Sequence, residues 1–395
     1  MTQTVIAAVL FAAAAAGPAP AAPPAPPAAV PAITVKVQNP LPAARAAETV
    51  AVTIAELHKI APALDPAKIV VLDDKHQPIL SQLLDADGDD APDELVFQTA
   101  LGAKESKSFT VESGARGPFK NDDFKVYGRF VRERHDDFAW ENDRVAHRMY
   151  GTALETWKKE PLTSSGIDVW VKKTNRLVVN GWYQTDDYHR DNGEGADFYS
   201  VGKSRGCGGV AVFAGDKPAL SRNFDSSRVL ANGPIRLVFE LGYPAFEVGP
   251  GVKVTETKRI TLDAGHSFNR IASTFKVEGA APALTVGVGV AKHAGADLKT
   301  DKLWIRTWEP LPESNGNLGC AVMLPTGTGA TLKPTDSDTF LLAKAKPGVP
   351  FVYYMGSEWT KRPGAAGDAA GWTKALQEEA RDLAAPVKVV LSAKK

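Results

Sequence analysis

The sequence predicts an all-β fold: a large two-sheet antiparallel supersandwich with a small N-terminal β-sandwich. Three observations carry this. Short segments with alternating apolar residues recur from Ile33 almost to the C-terminus. Pro, Asp and Gly separate them. Helical spacing is convincing in one place only, Thr373 to Leu383, where Leu376, Ala380 and Leu383 recur.

The first segments are Ile33 to Val37, Glu48 to Ile54, Ile69 to Leu72, Glu94 to Thr99 and Ser106 to Val111. Strands this short, divided by turn residues, predict a small sandwich over 33–113. Glu112 to Pro118 is a Gly/Pro-bearing boundary. The second domain is expected over 119–392. Its strands are Ile167 to Lys172, Arg236 to Leu241, Val252 to Leu262, Arg270 to Val277, Leu284 to Val290, Phe351 to Tyr354 and Val387 to Leu391.

Ahead of the strands, Val5 to Ala16 has the length of a signal-peptide apolar region and is too short to cross a bilayer. Ala19-Pro20-Ala21 supplies the small residues of a cleavage region, although no Lys or Arg precedes the apolar run. Residues 1–22 are therefore read as a signal peptide and 23–32 as an Ala/Pro spacer, with a periplasmic or secreted location. No later run reaches the length of a membrane span.

The chain has 395 residues, 44% hydrophobic and 23% charged, which suits a globular protein with a proper core. Its formal net charge is +0, so nothing favours nucleic acid or an anionic membrane as a partner. Two cysteines, Cys207 and Cys320, can pair in an oxidising compartment, and no Cys-x-x-Cys motif exists. Gly-x-Ser-x-Gly, His-Glu-x-x-His and nucleotide fingerprints are absent.

Three stretches can carry chemistry. Asp85, Asp87, Asp89 and Asp93 fall at positions 1, 3, 5 and 9 of an acidic run, the ligand spacing of calcium loops. A structural calcium ion would relieve the repulsion among these carboxylates; the alternative is a solvated acidic turn. Val126 to Tyr150 interleaves charge with aromatics, including His135, Trp140, Glu141 and Arg144. Sugars suit such a surface, because the ring stacks on an aromatic face while charged groups bond its hydroxyls. The alternative is a paired-charge connection on a sheet rim.

Gly181 to Gly209 is the most specific signal and reads as a loop. It holds Trp182, Tyr188, His189, Glu194, Tyr199 and Arg205. A histidine such as His189 can act as base, acid or metal ligand. Asp187, His189, Asp191, Glu194 and Asp197 can instead hold a divalent metal, or the stretch can be a packed Ω-loop. More weakly, Asp168, Trp170 and Lys172 share one face of a strand.

Phe138-Ala139-Trp140-Glu141-Asn142-Asp143-Arg144, Gly193 to Tyr199, and Glu256 to Leu262 resemble a bacterial family of exported proteins whose domain has no known function. Its members are often found among pectin-utilisation genes. The resemblance covers most of 33–392. It implies a supersandwich similar to galactose mutarotases and to sheet domains of some polysaccharide lyases, and it assigns no catalytic residue.

The residues and the resemblance together point to an oligosaccharide substrate of the pectin type, rich in uronic acid, cleaved by β-elimination. That reaction needs a cation for the carboxylate, a base, and an acid for the leaving oxygen. Arg144 or Arg205 suits the first, His189 or His135 the second, Tyr188 or Tyr199 the third. Trp140 and Trp182 would bind sugar. A glycoside hydrolase using Glu141 and Glu194, a mutarotase-like isomerase, and a non-catalytic sugar-binding protein are the alternatives.

Overall fold

The computed structural model describes residues 32–159 and 161–394. The signal and spacer assignments lie outside the described residues, apart from Ala32, which opens the first strand.

Alternation in Ala32–Gln38 places Ile33, Val35 and Val37 in the core and Thr34 and Lys36 outward. This strand sits in a five-stranded sheet with Ser106–Ser113, Ile69–Leu72 and Pro78–Ile79. A three-stranded sheet of Arg45–Thr53, Glu94–Leu101 and Ser81–Leu84 covers it. Val50, Val52, Leu95, Phe97, Phe109 and Val111 fill the space between. One member comes from far away: Lys388–Ala393 pairs antiparallel with Ala32–Gln38, Val35 opposite Leu391. The C-terminal strand therefore completes the small sandwich, whereas the sequence places it in the 119–392 domain. Its alternation fits either sheet, and only the long-range pairing decides.

The larger part is a supersandwich. An eight-stranded antiparallel sheet runs from Ser226–Asn232 through Arg236–Gly249, Val252–Asp263, Phe268–Glu278, Phe351–Trp359, Asn317–Met323 and Trp304–Pro310 to Asp297–Thr300. A five-stranded sheet centred on Cys207–Ala214, Leu284–Ala291 and Asp338–Ala345 faces it. Val286, Val288 and Leu341 meet Ile260, Ile271, Val322 and Met355 in the shared core. Cys207 and Cys320 are free thiols buried in that core. The helix Ala369–Ala384 lies on the outer face of the large sheet. It begins earlier than its apolar spacing indicates, because the Asp368 side chain accepts from Gly371 N–H at 2.7 Å as N-cap.

A further five-stranded sheet positions the site. Its order is Gly195–Ala196, Asp168–Lys172, Ala146–Met149, Asp137–Asn142 and Val126–Val131. One face packs on the large sheet: Phe138 stacks on Phe239 at 4.2 Å, and Trp140 Nε1 donates to Asn269 Oδ1 at 2.9 Å. The other face carries Ala139, Ala146 and Trp170 and is covered by the helix Val179–Thr185 through Val179, Trp182 and Tyr183. Asp168, Trp170 and Lys172 do share this face, all buried. The stretch 181–209 is thus not one loop, since its start is helical.

Candidate active site

At one end of this sheet, four strands and their connections meet. Asp137 opens one strand, Arg148 lies near the end of the next and directly opposite Asp168, and Asp197 follows the short Gly195–Ala196 strand. Strand alternation turns Asp137, Arg148 and Asp168 onto the helix-covered face. Arg148 is the hub. Its Nη2 lies 2.6 Å from Asp168 Oδ2 and 2.9 Å from Asp197 Oδ2, and its Nη1 lies 3.8 Å from Asp137 Oδ2. Its guanidinium also sits over the rings of Tyr150, Trp170 and Tyr188 at 5.2, 5.5 and 5.7 Å.

Three buried carboxylates around one guanidinium cannot all be ionised cheaply. Burial works against the charge on Arg148, but Asp168 and Asp197 outweigh it and hold the cation firmly protonated. Burial pushes Asp137 up to about 7, against Arg148 and Arg134, and pushes Asp197 well above the usual carboxylate range with help from Asp168. Asp137 Oδ1, Asp197 Oδ1 and Tyr183 Oη are buried without a protein partner. The cluster therefore holds a proton near neutral pH.

Above it opens a cleft of about 530 Å³, lined by Arg134, His135, Trp157, Lys159, Tyr188 and His189 among others. Tyr188 Oη accepts from Arg134 Nε and, at 3.4 Å, from Arg148 Nη1, which leaves its own proton uncommitted. Burial raises the phenol above its ordinary range, against Arg148 and Arg134, so it stays protonated. His189 Nδ1 lies 3.3 Å from the Asp197 carbonyl and 3.7 Å from its Oδ2. That fixes one ring nitrogen and leaves Nε2 for the cleft. Asp197 N donates to Tyr188 O at 2.6 Å, which closes the 188–197 loop and holds its catalytic candidates together. The His135 ring lies tilted against Trp157, centroids 4.4 Å apart, and burial with Arg134 holds its imidazole below the usual range.

The turn that presents His135 is left-handed at two successive residues, His135 (φ 52) and Asp136 (φ 63). It is held because Gly151 lets the chain pass: a Cβ there would lie 1.8 Å from the Asp136 carbonyl oxygen.

Of the residues expected from sequence, His135, Tyr188 and His189 converge. Trp182 and Glu194 line a separate cleft of about 450 Å³ on the other side of the 186–195 loop, which Tyr188 also reaches. Glu194 pairs there with Arg176 at 3.5 Å. Glu141 must be reassigned. It is wholly buried, its Oε2 sits 2.6 Å from Lys172 Nζ, and it accepts from Val178 and Val179 N–H at 2.9 and 2.7 Å. It caps the helix Val179–Thr185 and cannot pair with Glu194 as a hydrolytic couple. Trp140 is likewise inside the core and offers no ring to a sugar. Tyr199 is buried against His293, ring centroids 5.1 Å apart, and Arg205 is buried with Nη1 donating to Ser165 Oγ at 2.8 Å. Both are framework residues. Arg144 lies at the opposite end of its hairpin, in a different cavity.

The acids of 187–197 do not form a metal site together. Asp187 pairs with Arg190, Asp191 with Lys173, Glu194 with Arg176 and Asp197 with Arg148. Among the described residues, Asp85, Asp87 and Asp89 alone bring three candidate ligand oxygens within 4.8 Å of one another. N–H groups of Asp90, Gly88 and Asp89 hold the Asp85 carboxyl below its usual range, against a desolvation effect that raises it. Asp93 does not join them, since its Oδ2 accepts from Ala86 N–H at 2.7 Å and so closes the base of the turn.

Sequence reasoning missed Arg148 as hub, Asp137 and Asp197 as its acids, and Arg134 and Trp157 as walls. The signal available was an acid-rich set of short strands whose polar residues alternate onto one face.

A family profile described as "Domain of unknown function (DUF4861)" matches residues 37–389. A protein of Formosa agariphila described as "Uncharacterized protein P7" is 33% identical over 326 residues, covering 79% of this chain and 81% of that protein. Two solved structures from Enterococcus faecalis are similar in fold. One is described as an α-mannosidase (TM-score 0.51, 9% identity), the other as a protein in glycosyl hydrolase family 38 (TM-score 0.52, 10% identity). Each match covers 92% of this chain, which spans only 46% and 48% of those structures. At such identity the likeness concerns fold alone.

Proposed function

The chain belongs to the DUF4861 family of unknown function, and from that premise we propose that it is an exported enzyme cleaving uronic-acid-containing, pectin-type oligosaccharides by β-elimination. The observation that carries the reading is the cleft in which Arg134, Tyr188 and His189 meet over a proton-holding acid cluster.

Arg134 and Lys159 make no ion pair among the described residues, and two histidines join them at the cleft; of its two acids, Glu133 is taken up by Arg129, and Asp186 is a single carboxylate against two cations. An anionic substrate suits that wall. In the proposed step the uronate carboxylate rests on Arg134. His189 Nε2 takes the proton from the carbon next to the carboxylate. The electron pair forms the new double bond, the bond to the leaving glycosidic oxygen breaks, and the Tyr188 hydroxyl protonates that oxygen. Arg134 and Arg148, which donate to the Tyr188 oxygen, would stabilise its charge after the transfer.

Hydrolysis is the second reading. It rests on the α-mannosidase described above having a similar fold, and on burial raising the Asp137 carboxyl, the direction a general acid needs, from beneath the cleft wall. Saturated uronate oligomers decide between the two. Enol-ether absorbance growing with each new chain end supports elimination; new reducing ends without it would overturn elimination in favour of hydrolysis. Tight binding with no product would leave a sugar-binding protein.

We further propose that residues 1–22 direct export, and that Asp85, Asp87 and Asp89 take a structural calcium ion. The N-terminal residue of the mature protein tests the first.

A further inference from the structure

Cys207 opens the strand Cys207–Ala214 of the five-stranded sheet, and Cys320 lies midway along Asn317–Met323 in the eight-stranded sheet that faces it. Packed sheets normally stand about 10 Å apart, whereas a disulfide needs its Cβ atoms only ~3.8 Å apart. At this point the sheets come closer. The register of Cys207–Ala214 slips between Cys207 and Val210, and Gly208 takes a positive φ of 100. Gly208 therefore faces the large sheet with no side chain to hold the layers apart. A Cβ there would stand 2.9 Å from the Met355 Cβ and 3.4 Å from Val322 Cγ1. Tyr353 Oη donates to the Gly208 carbonyl at 2.9 Å and ties the two layers together.

Register then places the two sulfurs. Met355 pairs with Val322, and Ser357 with Cys320, one step along on the same face. With Gly208 over the first pair, Cys207 falls over the second. Its Sγ donates to the carbonyl of Gly356, between Met355 and Ser357, at 3.4 Å. The Cys320 thiol is in hydrogen-bond contact with Cys207 and also with the Tyr199 hydroxyl. Both cysteines are wholly buried, and the sequence has no others.

We propose that Cys207 and Cys320 close a disulfide that staples the two sheets of the supersandwich. The oxidant is an organic disulfide. The thiolate of one cysteine attacks a sulfur of that donor and expels one thiolate; the thiolate of the second cysteine attacks the mixed disulfide and expels the other. Two protein thiols are oxidised, the donor is reduced to two thiols, and the protons lost by the cysteines pass to the departing sulfurs. Burial pushes the Cys320 thiol well above its ordinary range, so little thiolate forms in the closed core. The exchange therefore belongs to folding, before the core seals. None of this depends on the reaction proposed above.

Refolding the reduced chain in a mixture of reduced and oxidised glutathione tests it. The folded protein is then denatured in iodoacetamide and weighed. Wild type should carry no alkylated cysteine, weigh two hydrogens less than the reduced chain, and yield a peptide pair linking Cys207 to Cys320, even with reduced glutathione in about tenfold excess. Two alkylated cysteines, glutathione adducts, or bonds only between chains would overturn the proposal. The oxidised wild type should also melt ~5 °C or more above the same protein held reduced. Equal midpoints would show that the bond staples nothing. In Cys320→Ser the reductant should leave the midpoint unchanged; an equal shift there would mean that the reductant acts elsewhere. If that variant does not fold, the thiol count and the two midpoints of wild type decide.

Discussion

Arg148 and Tyr188 meet at 3.4 Å, guanidinium to phenol oxygen, and this contact joins the buried acid cluster to the open cleft. Arg148 cannot be shortened without consequence. Arg148→Ala would leave Asp137, Asp168 and Asp197 buried around an empty space, at a cost of ~3–5 kcal/mol for an uncompensated buried charge. Urea unfolding should show that loss. Arg148→Lys should recover only part of it, because an ammonium cannot reach two carboxylates and the phenol as a planar fork does. A lysine variant of full stability would show that the fork geometry is unimportant.

His189→Ala should leave the unfolding midpoint nearly unchanged, since the ring is largely exposed. Turnover of uronate oligomers should fall by ~10²-fold or more, the usual contribution of a positioned base. Asp197→Asn should depress turnover as well and lower stability, because Asp197 also neutralises Arg148. If His189→Ala cleaves at the wild-type rate, the base lies elsewhere.

Asp137 gives a pH test with a definite sign. Its carboxyl stands at about 7 in the fold against an ordinary 3.8. A raised carboxyl favours the fold fully below the lower value, and that contribution is lost as pH rises until it passes the higher one. The loss totals roughly 4 kcal/mol for a shift of this size. Asp137→Asn is neutral throughout, so its stability relative to wild type should rise between about pH 4 and pH 7 and then level off. Parallel stability curves for the two proteins would contradict the burial argument.

The acidic turn offers a metal test. Arg228 Nη2 already donates to the carbonyls of Asp87 and Gly88 at 2.9 Å each, which gives the turn one cation of its own. If calcium also binds, at the weak affinities common to extracellular sites, a fifty-fold excess over Kd should stabilise by about 2 kcal/mol. Asp85→Asn with Asp89→Asn should abolish that gain. No rise in melting temperature with calcium would mean that Arg228 and solvent suffice.

The small sandwich was legible because period-two alternation is a local signal: Ile33, Val35 and Val37 announce their own face. The partner of that strand, Lys388–Ala393, was not, since its place depends on a pairing across the whole chain. The site was half legible. Tyr188 and His189 sit in a run whose composition is unusual by itself. Asp137, Arg148 and Asp168 lie on strands that look solvent-facing in sequence, and their charge is tolerated inside only because each finds the others. A one-dimensional pattern carries the residue types but not that mutual satisfaction.

Glu141 shows the same limit most sharply, and it yields a last prediction. By residue type it suits a catalytic carboxylate; in the fold it is the cap of the helix Val179–Thr185 and the counter-ion of Lys172, with neither side chain exposed. Glu141→Ala should therefore destabilise by ~3–5 kcal/mol, leaving Lys172 charged and buried. The pair of changes Glu141→Ala with Lys172→Met should recover part of the loss by removing the stranded charge. Glu141→Gln keeps one acceptor oxygen, enough for Val178 or Val179 N–H but not both, and should fall between. Since the helix carries Trp182 and Tyr183 and leads into Tyr188, turnover should decline in step with folded fraction. A Glu141→Gln protein that is fully stable yet inactive would instead return Glu141 to the catalytic residues.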